Sequence, residues 1–162
     1  MSTTTAVLGS RSGVKDWVGL LARLLLGGVL LVAGLLKITA LGSSRTATRA
    51  YELMPVDVAN FVGTLLPIAE IVLGLLLILG LLTRGSALLG GLLMLAFIAG
   101  IASAWARGLT IDCGCFGGGG SVAANKTKYL QEIVRDAGLA LCAAWLVVRP
   151  QSRWSLDGRL WG

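Results

Sequence analysis

Two cysteines two positions apart, Cys113 and Cys115 in the run Asp112-Cys113-Gly114-Cys115-Phe116-Gly117, are the residues of this sequence best suited to chemistry. Thiols at that spacing close into a disulfide only through a small, strained ring. Strain raises the reduction potential, so such a bond suits thiol–disulfide exchange better than stapling. Gly114 permits the backbone angles that the ring needs, and the glycines at 117–120 are expected to make the loop mobile enough for a partner's sulfur to reach either cysteine. The third cysteine, Cys142, lies well inside an apolar stretch, roughly 20 Å by helical rise from its outer end. It is expected to be an inert buried thiol. The odd count allows at most one intrachain disulfide.

Rival chemistries find little support. The chain has no histidine, which removes imidazole as base, metal ligand and haem ligand. Zinc asks for about four ligands and only two thiols are close in sequence, so no metal site is expected. Covalent haem attachment would need Cys-x-x-Cys-His, which is absent. Residues 120–127 read G-S-V-A-A-N-K-T, a near miss to a phosphate loop: Asn125 stands where the second glycine is required. Asn125-Lys126-Thr127 is a glycosylation triplet, meaningful only in a eukaryotic secretory context.

A second group of residues is notable for where it falls. Arg23, Lys37, Glu70, Arg135 and Asp136 all lie inside long apolar stretches. A charge at the centre of a membrane helix costs about 2.5–3.5 kcal/mol on insertion scales, so such residues face the bundle interior and pair. Arg23, Gly27, Gly34 and Lys37 share one helical face, as do Pro67, Glu70 and Gly74, and as do Arg135, Gly138 and Cys142. Glu70 falls near mid-span, with Lys37, Arg135 or Arg23 as its partner; depth alone does not choose. These charges either specify helix packing or form a proton or redox relay beneath the cysteine loop. Arg135 can stabilise a thiolate there and Asp112 can oppose it. Ala96, Gly100 and Ala104 give a small-xxx-small repeat, which predicts close helix packing.

The elements that must hold these groups are membrane helices. Of the 162 residues 56% are hydrophobic and only 14% charged, with mean hydropathy +0.83, against about 25% charged in soluble domains. Four apolar stretches, about 17–41, 58–82, 86–106 and 129–148, have the ~20-residue length that crosses a bilayer core. Only helix satisfies the backbone there. The expected fold is all-α: a four-transmembrane-helix bundle over 17–149, with a polar tail 1–16, a Cys/Gly-rich loop 107–128 and a basic tail 150–162 whose Trp154 and Trp161 suit a headgroup anchor. The first stretch reads as an uncleaved helix rather than a signal peptide. A tight turn near 83–85 makes the second and third helices antiparallel neighbours, and 42–57 is a polar connection.

Four crossings put both termini on one side. That side carries Arg11, Lys15, Arg84, Arg149, Arg153 and Arg159 against Arg45, Arg49, Arg107, Lys126 and Lys128 opposite. The bias leans towards cytoplasmic termini and an extracytoplasmic, disulfide-permissive cysteine loop. The net charge of +6 fits topology signals and anionic headgroups. No basic–aromatic alternation marks a nucleic-acid groove.

Taken together, Arg23…Gly27…Gly34…Lys37, Pro67-x-x-Glu70-x-x-x-Gly74, the Cys113-Gly114-Cys115-Phe116-Gly117 loop and Arg135-Asp136 resemble the methylamine-utilisation MauE family, within the wider DoxX-like membrane proteins. The resemblance covers about 17–149, and the cysteine loop is its most specific part. It implies a bacterial plasma-membrane protein that works with a thioredoxin-like partner in maturing disulfide-bearing exported proteins, Cys113 and Cys115 being the redox pair. The leading expectation is a membrane thiol–disulfide relay, with a quinone as one candidate terminal acceptor. The alternatives are a non-catalytic subunit or assembly factor of a larger membrane complex, and a small transporter using Glu70.

Overall fold

The computed structural model describes residues 13–116 and 118–150. Arg11, Gly117, Arg153, Trp154, Arg159 and Trp161 lie outside them. The elements in chain order are α1 (Val14–Ile38), α2 (Leu41–Ala50), α3 (Val56–Leu79), α4 (Thr83–Ala106), a two-stranded hairpin β1 (Ile111–Asp112) and β2 (Gly120–Ser121), a 3-10 turn (Ala124–Lys126), and α5 (Tyr129–Val148).

Helices α1, α3 and α4 have 25, 24 and 24 residues and are long and apolar enough to cross a membrane. At 1.5 Å per residue each reaches about 36 Å, beyond a ~30 Å hydrocarbon core. Their outer faces expose Leu21, Leu25, Leu65, Val72 and Leu92, side chains that water would disfavour and lipid accepts. Their inner faces close on Leu26, Leu30, Leu77, Met94 and Leu146. α5 has 20 residues, with Glu132, Arg135 and Asp136 in its first two turns and an apolar remainder.

Helices α1 and α3 meet through their glycines. A Cβ on Gly34 would stand 2.7 Å from Ile71 Cγ1 and 2.8 Å from the Pro67 carbonyl oxygen, and one on Gly74 2.7 Å from the Leu31 nitrogen. The small residues of the charged stripes therefore set the distance between the two helices. Lys37 follows Gly34 by three residues, and Glu70 follows Pro67 by three, so the same crossing delivers the lysine to the glutamate.

Helix α2 replaces the plain polar connection expected at 42–57. Its seat is prepared by Pro67. A proline has no N–H to give the carbonyl four residues back, and that carbonyl, on Gly63, instead accepts a hydrogen bond of 2.7 Å from the Ser44 hydroxyl of α2. Gly63 also leaves room for α2, since a Cβ there would lie 2.9 Å from the Arg45 Cα. Ser44 and Ala47, one turn apart, are the buried residues of α2.

The turn between α3 and α4 falls at residues 80–82 rather than 83–85. Gly80 takes the left-handed C-cap conformation at φ 68°, which stops α3 there, and Thr83 already belongs to α4.

The cysteine loop is tied down rather than slack. β1 and β2 pair antiparallel, with Ile111 opposite Ser121 and Asp112 opposite Gly120. The Tyr129 hydroxyl accepts from the Ile111 N–H at 2.9 Å and donates to the Leu109 carbonyl, which anchors the hairpin to α5. A Cβ on Gly119, at φ 130°, would stand 2.2 Å from the Ala47 Cβ. This glycine is present for close fit over α2, not for mobility.

Candidate functional site

The end of the bundle beneath the hairpin holds every chemistry-bearing residue singled out from the sequence except Arg23 and Cys142. Arg23 is buried in α1 about 21 Å by helical rise from Lys37. Cys142 is half-buried in α5 and packs against the apolar core.

The two loop sulfurs lie 2.9 Å apart, with the Cys113 thiol donating to Cys115 Sγ. All three cysteines are free. Gly114, at φ 68°, makes the turn that faces the thiols towards each other. That turn is held by its N–H donating to Asp112 Oδ1 at 2.9 Å. The Cys115 N–H points back at Cys113 Sγ, 3.4 Å away. Cys113 is half-buried, whereas Cys115 is only 5% exposed. Both line a cavity of about 470 Å³ walled by Asp112, Phe116, Glu132 and Arg135.

The two thiols are not equivalent. The hydrogen bond from Cys113 pulls the Cys115 thiol below its ordinary range. Burial works against this, and the Lys37 and Arg135 cations reinforce it. Cys113, which holds the proton of that bond and is buried besides, is pushed up. Cys115 is thus the sulfur that carries negative charge most readily. The Tyr51 hydroxyl donates to the Cys113 carbonyl at 3.3 Å, and burial, with Cys113 next in effect, pushes its pKa up, so it remains a donor.

The ordering of the thiols has a measurable consequence. Thiolate is the reactive form, and its population falls as pH drops through the thiol's pKa. With its pKa lowered, Cys115 should stay reactive towards iodoacetamide at pH values where an ordinary thiol, near 8.5, is largely protonated. Replacing Cys113 with Ala should move the Cys115 alkylation midpoint upward, and by more than Arg135→Gln does, because the Cys113 hydrogen bond is the larger influence. Mass-resolved alkylation rates against pH give the midpoints. A Cys115 midpoint at or above that of a free thiol would contradict the assignment.

Lys37, Glu70, Arg135 and Asp136 form two ion pairs. Lys37 Nζ meets Glu70 Oε1 at 2.6 Å, the side chains being 4% and 1% exposed, so depth and packing choose Lys37 over Arg23 and Arg135. The Lys37 ammonium also lies 5.1 Å from the centre of the Phe97 ring. Arg135 bonds its neighbour Asp136, at 2.8 Å to Oδ1, while its guanidinium lies 5.0 Å from the centre of the Phe116 ring. The second carboxylate oxygens, Glu70 Oε2 and Asp136 Oδ2, are buried without a hydrogen-bond partner. Glu70 and Asp136 both line one small cavity of about 10 Å³ that Cys115 also borders, close to the least space a single water needs.

Sequence reasoning missed three contributors. Glu132 brings a carboxylate into a cluster with Asp112 and Cys113, ligand atoms all within 4.8 Å of one another. Its spacing of three from Arg135 was the available signal. Tyr51 acts through contacts between distant segments and carried no local signature, and Phe116, though part of the loop motif, gave no sign of its contact with Arg135.

The family model for methylamine utilisation protein MauE matches residues 15–149. No curated protein and no solved structure matches.

Proposed function

Because the chain belongs to the MauE family and has apolar helices of membrane-crossing length, we propose that it is a membrane thiol–disulfide relay in which Cys113 and Cys115 accept electrons from a partner's dithiol. The observation that carries this reading is the pair of sulfurs 2.9 Å apart at the edge of an open cavity, one exposed enough to be attacked and the other held ready to leave.

Exchange runs as follows. With the pair oxidised, a thiolate of the partner attacks Cys113 Sγ, the Cys113–Cys115 bond breaks, and Cys115 departs as thiolate. The low thiol pKa of Cys115 makes it the faster leaving group. The partner's second thiolate then attacks the mixed disulfide and frees Cys113. Two electrons and two protons pass from partner to pair. Glu132, beside Cys113, receives the proton that the attacking thiol gives up. Lys37–Glu70 and Arg135–Asp136 hold the floor of the site and supply the positive field.

In this reading α5 is a fourth crossing, its charged residues grouped at the loop end. The termini face the cytoplasm and the dithiol faces outward from a bacterial plasma membrane. The partner is a thioredoxin-like or exported protein. The test uses the oxidised protein in lipid nanodiscs with a reduced peptide dithiol. Wild type should convert the peptide to its disulfide with stoichiometric gain of two protein thiols, and the Cys113→Ser, Cys115→Ser double variant should convert none. Equal peptide oxidation by both would sink the proposal.

A further inference from the structure

Cys113 borders two cavities, not one. Besides the polar cavity over α5, it lines a second of about 230 Å³, walled by other helices, with Gly114, Lys37, Tyr51, Leu66 and Phe97 among its walls. This second cavity is largely apolar. It lies between α3 and α4, which pack chiefly on α1 and α5 and touch each other sparingly. Two of the small residues expected to bring helices together instead keep this cleft open. Ala96 is exposed, and a Cβ on Gly100 would only reach ordinary contact, 3.4 Å, with the Tyr51 ring. Leu53, Met54 and Ala96 of its lining are exposed on the outside of the helices, so the cleft opens there.

Resting on the relay reading, we infer that this cleft is the binding site of a lipid-soluble quinone, the oxidant that returns Cys113 and Cys115 to the disulfide. The cleft's chemistry selects that class. Apolar walls open to hydrocarbon exclude a charged soluble thiol and admit a ring whose isoprenoid tail stays in lipid. At the inner end the Lys37 ammonium, which spends one proton on Glu70, has two more to direct at a carbonyl oxygen. Phe97 offers a face for ring stacking. Cys113 places a sulfur on the wall, so the acceptor and the partner protein approach the same dithiol through different cavities. The reaction balances without further reagents: two thiols lose two protons and two electrons as the S–S bond forms, and the quinone's two carbonyl oxygens take both to give the quinol.

The test follows decylubiquinone reduction by anaerobic, reduced protein in nanodiscs, with protein thiols counted by maleimide mass shift. Wild type should reduce one quinone per dithiol lost. Ala96→Trp, which fills the cleft at its mouth, and Val62→Trp, on the facing wall, should each slow this at least ~10-fold, with monodisperse elution and thermal midpoint as fold checks. A photoreactive quinone on wild type should label peptides spanning residues 62–66 or 93–100, which keeps the test decisive if either variant misfolds. Unchanged rates in folded variants, or labelling elsewhere, would overturn the inference. So would a wild-type dithiol that oxidised glutathione oxidises and decylubiquinone does not, an outcome that leaves the relay standing. Resistance to both oxidants would remove relay and quinone site together.

Discussion

Replacing Lys37 with Met should cost the protein about 3–5 kcal/mol of stability, because it strands the buried Glu70 carboxylate without the ammonium it pairs with. Glu70→Gln should cost less, since a neutral amide still accepts a hydrogen bond from Lys37. The informative variant is the double replacement Lys37→Met, Glu70→Leu. Removing both charges removes the desolvation penalty of each, and buried pairs replaced by apolar residues are often neutral or stabilising. The double variant should therefore recover most of what Lys37→Met loses. With the single Glu70→Leu variant completing it, chemical denaturation in a fixed detergent, read by tryptophan fluorescence, gives the cycle. Strict additivity of the single effects would show that the 2.6 Å contact is not energetically coupled, and that the charges are held by something other than each other.

The recovered double variant should nevertheless be poor at exchange. Lys37 is one of the cations that favour the Cys115 thiolate, and apolar substitution restores packing but not the field. Stability and activity should thus part company at this pair. A merely structural role for Lys37 would move them together.

The second large effect concerns which sulfur meets the partner. Offered the oxidised partner, so that exchange runs in reverse, Cys115→Ser should accumulate a mixed disulfide: Cys113 displaces one sulfur of the partner's disulfide as thiolate, and with Cys115 gone no second loop thiol then displaces the other. Cys113→Ser should accumulate little, because Cys115 is only 5% exposed and a bulky sulfur has no path to it. Non-reducing electrophoresis followed by mass identification of the attached chain distinguishes the two, and a several-fold excess of adduct on Cys115→Ser is expected. The reverse pattern would mean that Cys115 is the attacking sulfur and that its low pKa serves nucleophilicity rather than departure. Trapping with equal yield on both would indicate a loop that opens widely, at odds with the seating of Gly119 on Ala47.

Much of this arrangement was legible from sequence because membrane physics leaves few options. Apolar stretches of fixed length announce α1, α3 and α4. A charge inside such a stretch announces an inward face and a partner, so Lys37, Glu70, Arg135 and Asp136 were identifiable as residues. Their pairing was not, because depth is a one-dimensional coordinate and the choice of Lys37 for Glu70 depends on where Gly34 and Pro67 let two backbones cross. Helix α2 was illegible for a related reason. Its residues are mediocre helix formers, and its stability comes from a carbonyl that Pro67, some twenty residues later, leaves vacant. The glycines of the cysteine loop were misread as slack because composition alone does not separate a glycine that moves from one that something presses against. Nor did the small-residue repeat on α4 reveal that it borders a cleft: the same alphabet serves contact and vacancy.

The seating of α2 on the gap left by Pro67 also bears on how the protein is made. Chains leave the ribosome from the N-terminus, so α1, α2 and α3 can settle, with Ser44 already on the Gly63 carbonyl, before the cysteine hairpin has been synthesised. The thiols then arrive at a finished platform whose Ala47 dictates the shape of the turn that brings them together. A defect at Ser44 would therefore surface not as a missing helix but as newborn protein whose cysteines are mispaired with passing thiols.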